Sequence, residues 1–447
     1  MSVKPSALRR LSTLLAGKPP GPPVLESSSL ANFLSTSKEK YLADIRATPS
    51  KGAEWTVVMG NEAGDLDSVA SSIAYAWVQS EIQKKPCVPL IQIGQDDLNL
   101  RAENLYALKL AGISDPQKQL LSITDLDGVK PFPSTTFALV DHNRLGNTFS
   151  KDNPNTSIVA VIDHHADEQL YADCDPRKVA PAGSCASHVA TLYPKEAEMP
   201  RELATLLLSA ILIDTGGLVP GGKALQVDHE AASYLIPRST LFSSSTLTSI
   251  SPTNPEMLSS IAEVKRLSDA LAEQKFNVSH LGAWDLLRRD YKEYTHTLNW
   301  HPGAPTIKAG LATVPVKLRS WGSDGKLERE SQRWMEQRGL SVFGVLTSFR
   351  DTKKFGESGK GKHRREQAWF IRDGSDSTLQ LDDIASRLWK GLEADEEIKV
   401  TKHEKMNLAK SKDIPPSVRA KTYKQGNANA TRKATAPLLK NILESSE

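Results

Sequence analysis

The sequence predicts an α/β protein with two domains, an N-terminal domain built on a parallel sheet and a smaller C-terminal α/β domain. At 447 residues, the chain is longer than one hydrophobic core usually supports. Apolar runs typical of strands alternate with helical segments between Trp55 and Asp214, as in parallel sheets connected by helices. Acidic residues follow several of these runs, and the carboxyl ends of parallel strands meet at one crevice.

The chain divides into four expected segments. Residues 1–27 form a flexible N-terminal segment, 28–235 the parallel-sheet domain, 236–256 a linker rich in Ser, Thr and Pro, and 257–447 the C-terminal domain. Residues 1–25 are basic and contain no acidic residue, which suits either a tail or a mitochondrial targeting segment. A tail is favoured because prolines soon end any helix there.

The first strand is predicted at 55–60 and is followed by two acidic residues, Asp65 and Asp67. A helix is predicted from Val69 to Ile82, with Ser68 as its N-cap. Either acidic residue could simply be a turn or cap residue. Two like charges so close repel each other unless a cation lies between them, so the pair favours a metal site.

Three further apolar runs end in residues that can bind a divalent metal: 137–140 is followed by Asp141, 157–162 by Asp163, His164 and His165, and 206–213 by Asp214. Carboxylates and imidazoles bind divalent metals, and an imidazole can also donate a proton. If the ends of these elements meet in one crevice, the residues form a metal centre.

The second domain is predicted with less regular spacing. A helix from residue 256 toward 281 is expected to pack against this domain, and strands are expected near 306–316 and 342–349. The basic, glycine-containing segment 353–366 is expected to be a mobile loop, and 410–416 an exposed connector.

Composition excludes several classes of protein. No apolar run approaches the length of a membrane span, so no membrane association is expected. Cys87, Cys174 and Cys185 are too few and too scattered for a disulfide framework or a Cys-ligated zinc site, and they suit a reducing compartment. We therefore expect a cytoplasmic protein, with mitochondria as the alternative.

The overall charge of +3 hides an asymmetry along the chain. Residues 399–433 contain eight Lys and two Arg against two acidic residues, a net charge of +8, and residues 350–365 have a net charge of +5. The remainder is therefore acidic, which suggests a polyanionic substrate, although such charge runs are more often solvated loops. Nucleic acid is not expected as the polyanion because no zinc finger, basic zipper or aromatic-interleaved basic stripe is present.

The order of these polar residues resembles the DHH phosphoesterase superfamily. The matching residues are Asn61, Asp65, Asp67, Asp141, Asp163, His164, His165 and Asp214. Three further elements resemble the branch with a second C-terminal domain, which includes class II inorganic pyrophosphatases, prune-type proteins and fungal exopolyphosphatases: Gly183-Ser184-Cys185-Ala186-Ser187, Arg289-Asp290-Tyr291-Lys292 and Thr431-Arg432-Lys433. The resemblance implies an active site in the cleft between the two domains.

The resemblance also implies residue roles. Asn61, Asp65 and Asp141 would bind one metal ion, and Asp67, Asp141, His164 and Asp214 a second, so that Asp141 bridges them. The cofactors would be two divalent ions, manganese or magnesium, with cobalt as a further candidate. Asp163 would orient an imidazole without binding metal.

The remaining roles concern the substrate, inorganic polyphosphate. His165, Lys292, Arg432 and Lys433 would act at the reacting phosphate. Further cations would bind the rest of the polymer: Arg144, Arg289, Lys360, Lys362, Arg364 and Arg365.

Asn61 replaces the histidine found in the pyrophosphatases, as in the exopolyphosphatase and prune branches. An amide is a weaker ligand than imidazole and should shift the preference toward magnesium. The resemblance thus implies an exopolyphosphatase that releases terminal phosphate by attack of a water activated by two metals. The alternatives are a prune-like phosphodiesterase or short-chain polyphosphatase, a pyrophosphatase, and a non-catalytic polyanion-binding scaffold. The sequence does not predict an oligomeric state.

Overall fold

The computed structural model describes residues 28–242, 255–351, 361–372 and 381–446. These residues form two β-sheets, each packed against helices. The predictions for residues 1–27 and for Lys360 lie outside the described residues.

The first sheet contains six parallel strands within the described residues, in the order β3-β2-β1-β4-β5-β6. These strands are β1 (Thr56–Met59), β2 (Cys87–Ile91), β3 (Leu121–Ser122), β4 (Thr136–Val140), β5 (Ser157–Asp163) and β6 (Arg177–Val179). The order reverses between β1 and β4, because later strands are added on opposite sides of this pair. Ligands bind at such a switch point, beyond the carboxyl ends of the strands. The predicted parallel sheet is confirmed.

Eight helices of the described chain precede or surround this sheet: α1 (Ser29–Ala47), α2 (Leu66–Trp77), α3 (Ala102–Leu110), α4 (Pro116–Gln119), α5 (Asn147–Ser150), α6 (Cys185–Thr191), α7 (Arg201–Thr215) and α8 (Gln226–Leu235). Alternate strand residues enter two separate cores, with Val58 in one and Val57 in the other. The sheet is therefore buried on both faces, as parallel sheets usually are. No helix in the described part of the chain is both long and apolar enough to cross a membrane.

Helix α2 carries the first acidic pair, and its start differs from the prediction. Its N-cap is Asp65, whose Oδ1 accepts a hydrogen bond from the backbone N–H of Ser68 at 3.1 Å. Ser68 is therefore inside the first turn, and its hydroxyl is free to bond elsewhere. The helix ends at Trp77 and continues as a short π-helical segment to Ile82.

The next long helix, α9 (Ala262–Phe276), corrects another prediction. Its apolar residues Val264, Leu267 and Leu271 belong to the first core, where α9 lies against α3 and α7. The helix therefore packs on the first domain and not on the second. Its three- and four-residue spacing indicated a buried face but carried no information about which core buries it.

The second sheet is mixed, and only its β8–β9 pair is parallel among the described strands. Its order is β12-β13-β11-β9-β8-β7, with β10 paired to β11. The strands are β7 (Tyr291–Thr297), β8 (Thr306–Val314), β9 (Val342–Thr347), β10 (Phe349–Asp351), β11 (Lys362–Arg372), β12 (Val400–Lys402) and β13 (Val418–Gln425). The helices are α10 (Ala283–Arg289), α11 (Leu318–Trp321), α12 (Lys326–Arg338), α13 (Leu381–Ala394) and α14 (Arg432–Glu444).

Part of the segment predicted as a mobile loop is regular structure. From Lys362 onward it forms β11, which pairs with β13 on one side and with β9 and β10 on the other. The preceding residues 353–360 lie outside the described residues. A high density of Lys and Arg concealed this strand because surface loops have the same composition.

Candidate metal centre

The loop between β1 and α2 forms one side of the site. Asn61 Nδ2 donates to Asp141 Oδ2 at 2.7 Å, and the Asn61 amide oxygen accepts from the backbone N–H of Ala63 at 2.9 Å. Gly64 has φ of +55°, and a Cβ there would lie 2.7 Å from Ile93, so the turn requires glycine. In this orientation Asn61 presents an N–H group to Asp141, and its amide would have to turn over to bind a metal through oxygen.

Asp141 lies at the centre of the site, directly after β4. Its backbone has φ of +59°, which is uncommon for a residue other than glycine and is typical of functional positions. The buried carboxylate accepts a hydrogen bond from Ser68 Oγ at 2.6 Å through Oδ2. Its Oδ1 lies 3.3 Å from His164 Nε2 and 3.6 Å from His165 Nδ1. One ligand atom from each of these three residues lies within 4.8 Å of the others, close enough for a shared cation.

His164 is oriented with one ring nitrogen toward the acidic residues. Its Nδ1 is 3.0 Å from the carbonyl oxygen of Ala182, which can only accept, so the proton of the neutral ring is on Nδ1 and Nε2 is left for a metal. Burial disfavours the charged ring, but the hydrogen bond to Asp141 and the charge of Asp67 raise the pKa of His164 to about 9. Metal binding would therefore displace a proton from this site.

Asp163 holds the neighbouring histidine in place. Its buried carboxylate accepts from His165 Nδ1 at 2.8 Å, from the backbone N–H of His164 at 2.7 Å and from Asn143 Nδ2 at 2.5 Å. Burial opposes ionisation, but the hydrogen bond and charge of His165 lower the pKa of Asp163. With Nδ1 engaged, Nε2 is the His165 nitrogen available to a substrate oxygen.

Asp67 is held by the start of α6. Its carboxylate accepts from Ser184 Oγ at 2.6 Å and from the backbone N–H groups of Cys185 at 2.6 Å and Ala186 at 2.8 Å. Asp67 Oδ2 lies 3.8 Å from His164 Nε2. The Gly-Ser-x-x-Ser element thus positions an acidic side chain of the metal centre.

Asp228 was not predicted as a site residue, although it organises the same element. It is fully buried and accepts from the backbone N–H of Gly183 at 2.7 Å and from Ser187 Oγ at 2.6 Å. It also accepts from the backbone N–H of Leu225 at 2.7 Å, at the start of α8. The sequence signal was an acidic residue in a helical first turn, which ordinarily indicates only a cap.

The carboxylates of the site destabilise one another when charged. Burial and the charges of Asp141 and Asp214 raise the pKa of Asp67 well above its usual range. Burial and the charge of Asp65 raise the pKa of Asp214 to about 6, against the attraction of Lys275, whose Nζ lies 3.8 Å from Asp214 Oδ1. A divalent cation would relieve this repulsion. Carboxylate oxygens with one or two imidazoles fit manganese or magnesium.

Cations of the second domain act electrostatically on this acidic centre. Although burial opposes it, the hydrogen bond to His164 and the nearby charges, including that of Lys292, lower the pKa of Asp141. The charge of Lys433 lowers the pKa of His164, whereas the carboxylates raise it. Arg432 is held by Asp290, whose Oδ1 lies 2.9 Å from Arg432 Nη1.

Three arginines predicted to bind substrate are paired with acidic residues: Arg144 with Glu168 at 2.5 Å, Arg289 with Glu103 at 2.7 Å and Arg364 with Asp351 at 3.3 Å. Arg289 is also buried, and it donates to the carbonyl oxygens of Leu100 and Lys275. This corrects its prediction as a phosphate ligand, because its guanidinium is enclosed by acceptors of the protein at the contact between the domains.

The cations of β11 are divided between two faces of the strand, because successive side chains point in opposite directions. Lys362 and Arg364 share one face, on which Arg364 pairs with Asp351. Arg365 lies on the other face, where it is largely buried, its Nε donates to the carbonyl oxygen of Ala428 at 2.7 Å, and its charge lowers the pKa of Lys223. The described members of the predicted cationic group are therefore divided between the two faces of β11.

Two family models match the chain. The model described as the DHH family, N-terminal domain, matches residues 55–211. The model described as the DHHA2 domain matches residues 269–442. These ranges contain the two sheets and the elements around the site.

Several curated relatives match at about 30% identity. A candidate exopolyphosphatase from Schizosaccharomyces pombe is 32% identical over 328 residues, which cover 68% of this chain and 77% of that protein. Exopolyphosphatase PRUNE1 from Rattus norvegicus is 31% identical over 261 residues, which cover 57% of this chain and 52% of that protein. The match therefore spans about half the length of the rat protein.

A solved structure shares the fold. The crystal structure of a candidate family II inorganic pyrophosphatase from Methanococcus jannaschii matches with a TM-score of 0.51 at 18% identity, covering 87% of this chain and 99% of that chain. Both sheets therefore belong to one known architecture.

Proposed function

Because this chain belongs to the DHH family and carries a DHHA2 domain, we propose that it is an exopolyphosphatase that releases terminal phosphate from inorganic polyphosphate. The chain is a metal-dependent phosphoanhydride hydrolase. The observation that carries the finer assignment is the Asp141–His164–His165 cluster, on whose pKa values the charges of Lys292 and Lys433 act. An acidic metal centre and a cationic surface together suit a polyanion whose reacting end is a phosphate.

We assign the metal ligands as two sets joined by Asp141. Asn61 and Asp65 would complete one set, and the second set is completed by the residues Asp67, His164 and Asp214. When bound, two divalent ions would polarise the phosphate oxygens and lower the pKa of the attacking water. The Nδ1–H of His164, donated to Ala182, supports the use of its Nε2 as a ligand. The amide of Asn61 supports either ligation after a turn of its side chain or a hydrogen bond that orients Asp141.

His165 is proposed as the donor to the reacting phosphate. Asp163 holds its Nδ1 at 2.8 Å, which directs Nε2 to the substrate. Water attack forms one P–O bond and breaks the phosphoanhydride bond, so the products are phosphate and a polymer one unit shorter. Charge develops on the leaving oxygen, where a hydrogen bond or proton from His165 would stabilise it.

Lys292, Arg432 and Lys433 are proposed to bind the oxygens on which this charge concentrates. Arg432 is pre-oriented by Asp290 at 2.9 Å. Lys433 lies in the first turn of α14, where its backbone N–H donates to Thr431 Oγ1 at 3.2 Å. Both cations therefore project from a helix start that is itself capped.

We propose that the rest of the polymer follows the face of β11 that bears Arg365. Burial and the charges of Lys275, Arg365 and Lys433 lower the pKa of Lys223. Cations that destabilise one another in this way indicate a surface that a polyanion would stabilise. Arg350 and His363 lie opposite each other on the same face of the β10–β11 pair and extend it. Lys223, which sequence reasoning missed, stands alone in a glycine-rich loop with no motif around it.

The alternative is hydrolysis of a short phosphoanhydride or of a phosphodiester. It is supported by the shared fold with the pyrophosphatase structure and by the match to PRUNE1. Purified protein should be given long polyphosphate, tripolyphosphate, pyrophosphate and bis-p-nitrophenyl phosphate, with the products separated on a gel. Long chains that shorten one unit at a time would support the exopolyphosphatase. Turnover limited to pyrophosphate or to the diester would refute it.

A further inference from the structure

The contact between the two domains contains a buried group of charged residues next to the metal centre. Arg289 Nε donates to the carbonyl oxygen of Leu100 at 3.0 Å, and its Nη2 lies 2.7 Å from Glu103 Oε1. Arg101, Glu103 and Arg289 are 2%, 1% and 5% exposed. Such groups are costly to bury unless they are paired. The pairing therefore fixes where the second domain contacts the start of α3, and we call this contact the seat.

Arg101 connects this seat to the metal-binding loop. Its Nη2 donates to the carbonyl oxygen of Ala63 at 2.7 Å, between the proposed ligands Asn61 and Asp65. In the same helix, Asn104 Nδ2 donates to the carbonyl oxygen of the next loop residue at 2.8 Å. The start of α3 therefore holds the backbone of the loop that carries two metal ligands.

The same guanidinium also faces the second domain. Arg101 Nη2 lies 3.6 Å from Asp290 Oδ1, and that oxygen lies 2.9 Å from Arg432 Nη1. Asp290 thus joins a first-domain arginine to the arginine proposed to bind phosphate. Burial opposes ionisation of Asp290, but the charges of Arg432 and Arg101 lower its pKa. Asp290 is therefore negatively charged when it lies between the two arginines. A planar guanidinium can serve a carbonyl and a carboxylate at once, which an ammonium group cannot do equally well.

We propose that Arg101 is a positioning residue that couples the metal-binding loop to Arg432 through Asp290. Contact between the two domains would then position the proposed metal ligands Asn61 and Asp65 together with the phosphate-binding Arg432. The proposal rests on the proposed function for the nature of the anion. It does not depend on the length of the polyphosphate that is hydrolysed.

The first test is metal binding in the absence of any substrate. Arg101→Met should weaken Mn²⁺ binding about tenfold, the effect of losing a group that orients ligands. Arg101→Lys keeps the buried charge, guards against misfolding and should recover part of this loss. The matched control is Glu328→Gln, because Glu328 is also a buried carboxylate but accepts from Ser411 Oγ at 2.8 Å in the second domain, whereas Glu103 lies 3.5 Å from Arg101 itself. It should lower the melting temperature while its Mn²⁺ affinity stays within about twofold of the original.

The second test is a double-mutant cycle between Arg101→Met and Arg432→Met. At saturating Mn²⁺, each single change should lower kcat/KM, and the double variant should lose at least about fivefold less than the product of the two losses. This cycle uses whichever phosphoanhydride the original protein hydrolyses best, so failure of the polyphosphate assignment leaves it intact. Unchanged Mn²⁺ affinity in both Arg101 variants, together with multiplicative losses in the cycle, would overturn the coupling.

Discussion

Asp141 is the residue on which most of the site depends. Its carboxylate accepts from Asn61 and Ser68 through one oxygen and faces both histidines with the other. Its left-handed backbone places it there at a conformational cost, which the surrounding hydrogen bonds offset. A residue so placed serves both proposed metal sites at once.

Asp141→Asn should therefore lower kcat/KM by roughly 10³-fold, because it would weaken both proposed metal sites and so the activation of the attacking water. Asn61→His should cost far less and should raise the affinity for manganese or cobalt, since imidazole is a stronger ligand than an amide. Steady-state kinetics across a metal titration measures both effects. An unchanged metal preference in Asn61→His would refute the assignment of Asn61 to the metal centre.

Ser68 provides a second test at this scale. Ser68→Ala removes the 2.6 Å hydrogen bond to Asp141 and should weaken Mn²⁺ binding about tenfold. Ser72→Ala is the matched control, because Ser72 is equally buried in α2 but donates only to the carbonyl oxygen of Val69. Equal Mn²⁺ affinities for the two variants would show that the Ser68 hydroxyl does not orient the carboxylate.

At the level of elements, the sequence predicted those with a strong local pattern. Strands β1, β4 and β5 were predicted from apolar runs, and the residues after them were identified by their chemistry. Helix α1 was not predicted. It contributes Leu34 to one core and Tyr41 to another, so its apolar residues do not form one regular stripe. The Asp67–α6 contact could not be predicted because it joins residues 118 positions apart.

The alternation of side chains along β11 makes a prediction about substrate length. Arg365→Gln removes a buried positive charge next to Lys223 and should raise KM for long polyphosphate roughly tenfold, with less effect on tripolyphosphate. Arg364→Gln, on the opposite face, should change neither value. Kinetics at two salt concentrations would also show a weaker salt dependence for Arg365→Gln alone. Equal effects of the two changes would mean that the polymer does not follow this face.

Asp290, which lies between α10 and β7, provides a prediction about stability in acid. The pKa of Asp290 is lowered in the folded protein, so the stability it contributes is present above about pH 4, the pKa of an unfolded Asp, and is lost as the pH falls further. Asp290→Asn should lower the free energy of unfolding at pH 7 by on the order of 3 kcal/mol, because two guanidinium groups lose their partner. Urea unfolding at pH 7 and pH 3 should show a smaller acid-induced loss in the variant. A loss as large as that of the original protein would contradict the pairing.

At the scale of the whole molecule, charge is distributed by domain. An acidic first domain brings the proposed metal ligands to the switch point of its sheet, and the basic second domain contributes Lys292, Arg432 and Lys433. The composition of the chain shows the charge asymmetry, but it does not show which cations can contact a substrate. Several of the predicted cations are paired with nearby acidic residues, as Arg144 is with Glu168. Pairing and burial together determine which cations remain available to a substrate.

We propose that this metal centre hydrolyses polyphosphate, and phosphate release from long chains is the measurement that decides this claim. We expect robust release with manganese or magnesium, complete loss with a chelator and recovery when metal is restored. Asp141→Asn should stay inactive at every metal concentration that restores the original protein. Release from pyrophosphate alone, or release from long chains that continues in the presence of chelator, would contradict the claim.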